Sequence, residues 1–415
     1  MVVDNGKSDM KHSTRAIFYI VFIVIVVALF GVMSFHFLDN GDFGDHMEWV
    51  RQLAQDGYMH KIPHSLYHKL VVVVRALLPA NVLVWVSPWI KQVYDIKSYE
   101  ISELILMTLT YLATALILVR HLLREWKESP SGKLHWWAGL GALVIMLVAP
   151  VYIFSLPRMF LGYAAGNRFD SPTYIMAKPF IVLTVFALTN NLFSRWRWTN
   201  ALWMAGFILC ATLAKPNFTI SFLPAVGIVL LVFYLRKWKE INWFYVIFAF
   251  GLTSLVVIAG QFAINYGDAR GDRVIIAPLE AITYLTGSTG NLVLFLFMSL
   301  LFPLAVLILY WKTAKKDLAL QLGGVNFLVA LGYGVLLGEE INMGVANFWN
   351  CVQFATFVLF TTSVVFFGKK VIAQRAENSK LTWREWTTGG LLAAHFICGL
   401  VYFVAALTFA GVVKM

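Results

Sequence analysis

The sequence predicts an all-α polytopic membrane protein, and three observations carry that reading. Hydrophobic residues fill 60% of the 415 positions and charged residues only 13%, against about 45–50% and about 25% in soluble domains. The apolar residues gather into runs close to the ~20 residues that a helix needs to cross a bilayer core. The basic residues sit in short clusters in alternate gaps between those runs, as the positive-inside rule requires. A soluble enzyme, a disordered chain and a disulfide-stapled secreted domain are excluded together. The net charge of +11 forms neither a groove nor a tail, so no nucleic acid is expected. Cys210, Cys351 and Cys398 all fall inside apolar runs, which argues against a disulfide framework or a metal knuckle.

About eleven runs read as spans: 16–38, 101–122, 136–155, 174–194, 199–214, 218–235, 243–264, 291–311, 319–337, 351–368 and 388–412. The first is too long for the apolar core of a signal peptide and has no small-residue cleavage site, so it reads as a retained span. The short pair 199–214 and 218–235 is joined at Lys215-Pro216-Asn217. Short gaps hold Lys7, Lys11 and Arg15; Arg120, Arg124, Lys127 and Lys133; Arg195 and Arg197; Arg236, Lys237 and Lys239; Lys312, Lys315 and Lys316; and Lys369 to Arg384. These are assigned to the cytoplasm, with the N-terminus inside and, after an odd number of spans, Met415 outside. The whole chain, 1–415, is one transmembrane domain. Segments 39–100, 156–173, 265–290 and 338–350 hold the acidic, histidine and glycine content, so function is expected at the extracytoplasmic face.

The first outer loop, 39–100, does not read as a linker. Asp39-Asn40-Gly41-Asp42-Phe43-Gly44 supplies turn chemistry and a helix start, and a helical stretch follows through Leu53. On that helix Asp42, Asp45, His46 and Trp49 fall at i, i+3, i+4 and i+7, one stripe along the membrane surface. After Gly57-Tyr58 comes Pro63-His64-Ser65-Leu66-Tyr67-His68, and the run 66–78, broken by Lys69 and Arg75 and stopped by Pro79, reads as an amphipathic interfacial helix. Acidic residues favour helix N-termini for capping reasons alone. Four carboxylates in ten residues, Asp39, Asp42, Asp45 and Glu48, nonetheless suit a general base or a divalent cation such as Mg or Mn, which they permit without requiring. His46, His64 and His68 carry the weaker alternative of a zinc site beside ordinary hydrogen bonding.

One span, an acidic outer loop and two interfacial helices together resemble the GT-C superfamily of integral membrane glycosyltransferases. Asp42-Phe43-Gly44-Asp45-His46 followed by Pro63-His64-Ser65-Leu66-Tyr67-His68 is similar to an Asp-aromatic-x-x-His…Pro-His-Pro-x-Tyr-His pattern of bacterial members. Asp170-Ser171-Pro172-Thr173 with Ala177-Lys178-Pro179-Phe180 looks like their Asn-Pro-Thr…Lys-Pro-Phe segment, with Asp-Ser in place of His-Asn. Ala214-Lys215-Pro216-Asn217-Phe218 and Asn347-Phe348-Trp349 also look like segments of such chains. The resemblance implies a GT-C-like fold in a bacterial inner membrane and a polyprenyl-phosphate-linked sugar as donor. It implies transfer, usually inverting, to an extracytoplasmic glycan or lipid-linked acceptor. It makes Asp42 the catalytic base, with Asp39 and Asp45 as alternatives. Small chains of this kind resemble enzymes that decorate bacterial surface polysaccharides, including the glucosyl-adding enzymes of O-antigen modification.

Displacement at an anomeric carbon needs a carboxylate within hydrogen-bond reach of the acceptor hydroxyl, and cations or oriented N–H groups for the departing phosphate. The outer segments offer Arg158, Arg168, Lys178 and Lys215 for the phosphate, with Arg270 and Arg273 in a loop that reads as solvated. Lys178 and Lys215 each precede a proline near a span end, where a lysine either finds an anionic partner or snorkels to headgroups. Glu339 and Glu340 either orient the acceptor, pair with those lysines or are simply solvated. Trp49 and Trp349 are the outer tryptophans suited to stacking on sugar, whereas Trp136, Trp137, Trp238, Trp243 and Trp311 read as interface anchors. The alternative class is a transporter or flippase for a lipid-linked glycan or a small molecule. Such proteins show internal repeats and midplane charges; here no repeat is evident, and the ionisable residues crowd to the outer edge.

Overall fold

The computed structural model describes residues 12–408 except 39–41, 58–63, 79–97, 127–133, 154–162, 267–272, 342 and 378. Each apolar run of the sequence is helical over most of its length, because a chain in hydrocarbon must satisfy its own backbone hydrogen bonds. The order is α1 (His12–Phe37), α2 (Asp42–Asp56), α3 (Leu66–Leu77), α4 (Ser98–Glu125), α5 (Leu134–Leu147), α6 (Pro172–Asn191), α7 (Trp198–Ala214) and α8 (Asn217–Phe233). A π-helical segment (Tyr245–Leu252) then runs into α9 (Thr253–Tyr266), followed by α10 (Glu280–Thr286), α11 (Leu292–Leu309), α12 (Leu318–Leu336), α13 (Asn347–Ala376) and α14 (Trp383–Thr408). Among the described residues eight helices are long and apolar enough to cross a membrane. α5, α7 and α8 are apolar but shorter. The chain is a multi-pass membrane protein by these criteria.

The centre is α13, which is apolar all round and buried from Trp349 to Phe367, as such a helix must be. Its Thr356, Thr361 and Thr362 hydroxyls donate to carbonyls four residues back, at 2.8, 2.8 and 3.1 Å. That satisfies the only polar groups these side chains bring. α12 lies close against α13 because Gly323 faces Leu359 and Thr362, and Gly334 faces Val352 and Trp349. Small residues of this kind let helix backbones approach in lipid.

Three local departures from the sequence reading have physical causes. The run 136–155 is helical only to Leu147, because Pro150 cannot donate to a continuing ladder. The backbone groups freed there are taken up by neighbours: Val151 N–H donates to Met298 C=O at 3.0 Å, and His395 Nδ1 lies 2.7 Å from Ala149 C=O. Phe302 N–H completes the exchange by donating to His395 Nε2 at 3.3 Å. Second, the all-α fold carries one short strand pair. β1 (Val274–Ile276) pairs antiparallel with β2 (Leu337–Glu339), with Val274 opposite Glu339. Third, the run 243–264 opens with two turns of π-helix, which periodicity cannot distinguish from α in a uniformly apolar stretch.

The chemically distinct loops separate to opposite ends. At one end Lys369 lies 3.9 Å from Glu125, Trp126 Nε1 donates to Val365 C=O at 3.0 Å, and Asn242 N–H donates to Leu192 C=O at 2.8 Å. These contacts gather the connections that hold the basic clusters. The other end holds α2, α3, the start of α6, the α7–α8 junction, β2 and the start of α13. α14 meets the end of α5 so closely that a Cβ at Gly399 would overlap the Leu147 carbonyl. Gly399→Ala should therefore cost on the order of 1–3 kcal/mol and lower the melting temperature in detergent. Gly390→Ala, where a Cβ meets open space, should leave it unchanged.

Candidate functional site

The site begins where α1 delivers the chain to α2. Asp42 opens α2, and one turn on, His46 Nε2 stands 3.6 Å from Asp42 Oδ1. His46 is buried against α3, where its Nδ1 lies 2.9 Å from His68 Nε2. His64 joins them, its ring 5.8 Å from that of His46 and 6.4 Å from that of His68. Trp49 closes the group edge-on, 4.7 Å from the His46 ring. α2 and α3 are pinned by buried carboxylates at the start of α4. Arg51 donates to Glu100 at 2.7 Å, and the Tyr67 hydroxyl donates to Glu103.

The first turn of α2 presents its carboxylates unequally. Asp42 is partly buried, whereas Asp45 and Glu48 are exposed. Asp45 therefore faces away from the histidine cluster and is not part of the stripe expected of it. Asp39 and Arg158 lie outside the described residues. Among the described residues no group of three or more His, Cys, Asp or Glu side chains is arranged to hold a metal ion. The three histidines do meet, but His46 and His68 turn ring nitrogens toward each other rather than toward a common centre. This is a hydrogen bond, not a ligand shell.

A second layer stands across from the histidines. Arg168 is held by both oxygens of Asp170, at 3.1 and 2.7 Å, and donates to Asn350 Oδ1 at 3.0 Å near the start of α13. Burial disfavours its charge, but Asp170 outweighs that and holds the guanidinium above its ordinary value. Lys215, at the α7–α8 junction, is buried and lies 3.5 Å from the Thr173 hydroxyl at the start of α6. Burial pulls its ammonium below the usual lysine range, an effect that Asp42 and Asp170 oppose. Asp42, Arg168, Asp170 and Lys215 thus act on one another at one end of the bundle.

Lys178 does not snorkel. It is buried on α6, donates to Asn167 Oδ1 at 2.7 Å and sits between the rings of Tyr174 and Phe357, 5.2 and 5.1 Å away. Asn167 in turn donates to Ile145 and Val148 carbonyls, both at 2.9 Å, which the end of α5 leaves free. Glu339, on β2, accepts from Asn347 at 2.6 Å, and Asn217 donates to the Asn347 carbonyl at 2.7 Å. Glu340 is exposed at the rim. Trp349 is 3% exposed and packs against Gly334, so it is a core residue rather than a sugar platform. Trp49 keeps a partly open face.

Sequence reasoning placed Glu100, Asn167, Asp170 and Asn350 in the outer segments but gave no site role to them, to Glu103 or to Gln353. The signal was present as polar residues recurring every three positions at helix starts, Glu100 with Glu103 and Asn350 with Gln353. No known family model matches the chain, and no curated protein matches it significantly in sequence.

The histidines set a pH response. Burial pushes His68 down to about 4 and draws His46 and His64 well below the ordinary imidazole value, with His68 and Lys215 adding to the depression of His46. A depressed histidine is neutral when folded and binds a proton when unfolded, at about 6.5. Stability should therefore fall as pH drops from about 6.5 towards about 4. Thermal melts across that window should show the loss, and His68→Asn should flatten it.

Proposed function

We propose that this chain is a GT-C-type glycosyltransferase of the bacterial inner membrane. It moves a monosaccharide from a polyprenyl-phosphate donor to an extracytoplasmic glycan or cell-envelope acceptor, with inversion. The observation that carries the reading is the juxtaposition of Asp42, backed by the neutral His46–His68 pair, with the cations Lys215 and Arg168 at one end of the bundle. Such a transfer needs a proton acceptor and an anion counter-charge side by side.

In this reading the acceptor hydroxyl attacks the anomeric carbon as its proton passes to the Asp42 carboxylate. The new C–O bond forms on the face opposite the departing oxygen. The old C–O bond breaks, and its electron pair leaves on the lipid phosphate. Lys215 counters the charge that develops there, and Arg168, fixed by Asp170 and Asn350, contributes its field without moving. Asp42, which is partly exposed, then gives this proton up to water and is freed for the next turnover. A partly exposed Trp49 gives a sugar ring an aromatic face beside the base. The GT-C resemblance of the first loop supports the reading, and so does the confinement of these groups to the end away from the basic clusters.

The test is purified protein in lipid with a panel of polyprenyl-phosphate sugars, with and without EDTA, read as release of free polyprenyl phosphate. Asp42→Asn should slow release by about 10²–10⁴-fold with the fold intact, and Asp45→Asn should leave it near wild type. Undiminished turnover in the Asp42→Asn variant would remove Asp42 as base. Movement of the intact lipid-linked sugar across vesicles, without release, would instead favour transport. The assigned orientation makes a cysteine substituted for Asp56, exposed at the end of α2, reactive toward an impermeant reagent from outside the cell. Labelling from the cytoplasmic side alone would invert the topology.

A further inference from the structure

The opposite end of the molecule carries a feature that sugar transfer does not use. α8 and the π-helical segment form a hairpin, both arms of which pack on α7 while barely touching each other. Between them lies an apolar groove of 330 Å³, lined by Val226, Gly227 and Leu230 from α8 and by Trp243, Ile247 and Gly251 from the other arm. Phe222 and Phe250 meet edge-to-face at 5.8 Å toward the site end. At Gly227 a Cβ would meet nothing within 4 Å, so the groove is open there rather than filled by packing. The flanking Leu231, Val232, Phe248 and Leu255 are exposed, which in a multi-pass protein means that they face lipid.

The groove has a length and a chemical polarity. From Trp243 to Leu255 the lining arm rises at most roughly 18 Å, the value for 1.5 Å per residue of α-helix, and less over its π-helical part, close to the ~15 Å of one leaflet's hydrocarbon. The turn joining the arms is the 3₁₀ helix Leu235–Glu240, with Arg236, Lys237 and Lys239 all exposed. Trp243, at the mouth, donates from Nε1 to the Trp238 carbonyl at 2.7 Å, which ties the basic turn to the groove. A second basic stretch of chain stands beside it: Trp196, between Arg195 and Arg197, lies 5.9 Å from Phe244. A π-helix is rare and often marks a functional site, and eight residues of it form one groove wall here.

We propose that this hairpin is a binding site for an anionic phospholipid of the leaflet at the basic end. One acyl chain lies along the Gly227–Gly251 groove, and the phosphate headgroup rests over Arg236, Lys237 and Lys239. Charge complementarity selects the occupant: a cationic mouth on an apolar slot fits a negatively charged headgroup on a chain, and basic side chains near an anionic lipid surface are each worth an appreciable gain in affinity. The site is independent of the glycosyltransferase reading.

The experiment is native mass spectrometry and thermal melting of the full chain supplied with phosphatidylglycerol, phosphatidylcholine or free glycerophosphate. The wild type should retain phosphatidylglycerol over phosphatidylcholine by about tenfold or more and melt higher with it. Gly227→Leu sets its Cβ in open space and the rest of its side chain in the groove, so it should fold yet lose the retained lipid. Neutralising Arg236, Lys237 and Lys239 to Gln should abolish the headgroup preference. The same change at Lys312, Lys315 and Lys316 should preserve it. Equal retention of both lipids, equal loss from the second basic cluster, or full retention by Gly227→Leu would each overturn the site. A melting shift from glycerophosphate matching that of the intact lipid would overturn the groove's part in it.

Discussion

The arrangement at the site end depends on one partly buried guanidinium. Arg168 brings five N–H donors to a place only partly open to water, and each donor turned inward must find an acceptor or cost free energy. Asp170 takes two of them and Asn350 another, which locks the segment before α6 to the head of the central helix α13. Removing one partner of a fully buried pair costs about 3–5 kcal/mol, and water reaches part of this one, so losing Asp170 should cost less than that. Fixing Arg168 thereby also fixes Pro172 and the first turn of α6. That turn carries Thr173 to Lys215 and sets α6 on the path that seats Lys178 beside Asn167. The cations of the site are positioned by backbone that an ion pair holds.

Most of the architecture was readable from the runs because hydrocarbon leaves a chain so few choices. Every long apolar run had to be a helix, and the helix termini follow proline and charge within a few residues. What stayed hidden has a common cause. The early stop of α5 was written in Pro150, but the apolar residues through 155 masked it. The β1–β2 pair joins segments more than sixty residues apart, and no local pattern announces a three-residue ladder. The π-helical turns are invisible where every position is apolar.

The site was legible in part, and along a similar line. Asp42 and His46 lie one turn apart on α2, so periodicity could bring them together; His64 lies just before α3 and His68 in its first turn, and only the packing of α3 on α2 adds them. Asp45 shares the same stripe by arithmetic, yet it faces solvent, because α2 turns its buried face, Phe43, His46, Met47 and Val50, onto the fold. Trp349 looked like an outer aromatic and is a core residue, since Gly334 leaves a hollow that its ring fills. Asn167, Asp170, Asn350 and Gln353 are contributed by a connecting segment and a distant helix, and only tertiary structure assembles them. Composition marks a polar residue near a span as unusual, but not which other polar residue it answers.

The protonation states of this end divide two tasks that would otherwise conflict. A cationic imidazole beside Lys215 would be repelled by it and penalised by burial, so His46 and His68 remain neutral. The positive charge of the site therefore stays on Lys215 and Arg168, where an anion can use it. The histidines keep one N–H and one lone pair each, the state in which a ring can take a proton at one nitrogen while giving one up at the other. Had the cluster held a fixed imidazolium, Asp42 would be paired to it and a weaker base. A neutral pair at 2.9 Å leaves the carboxylate free to act.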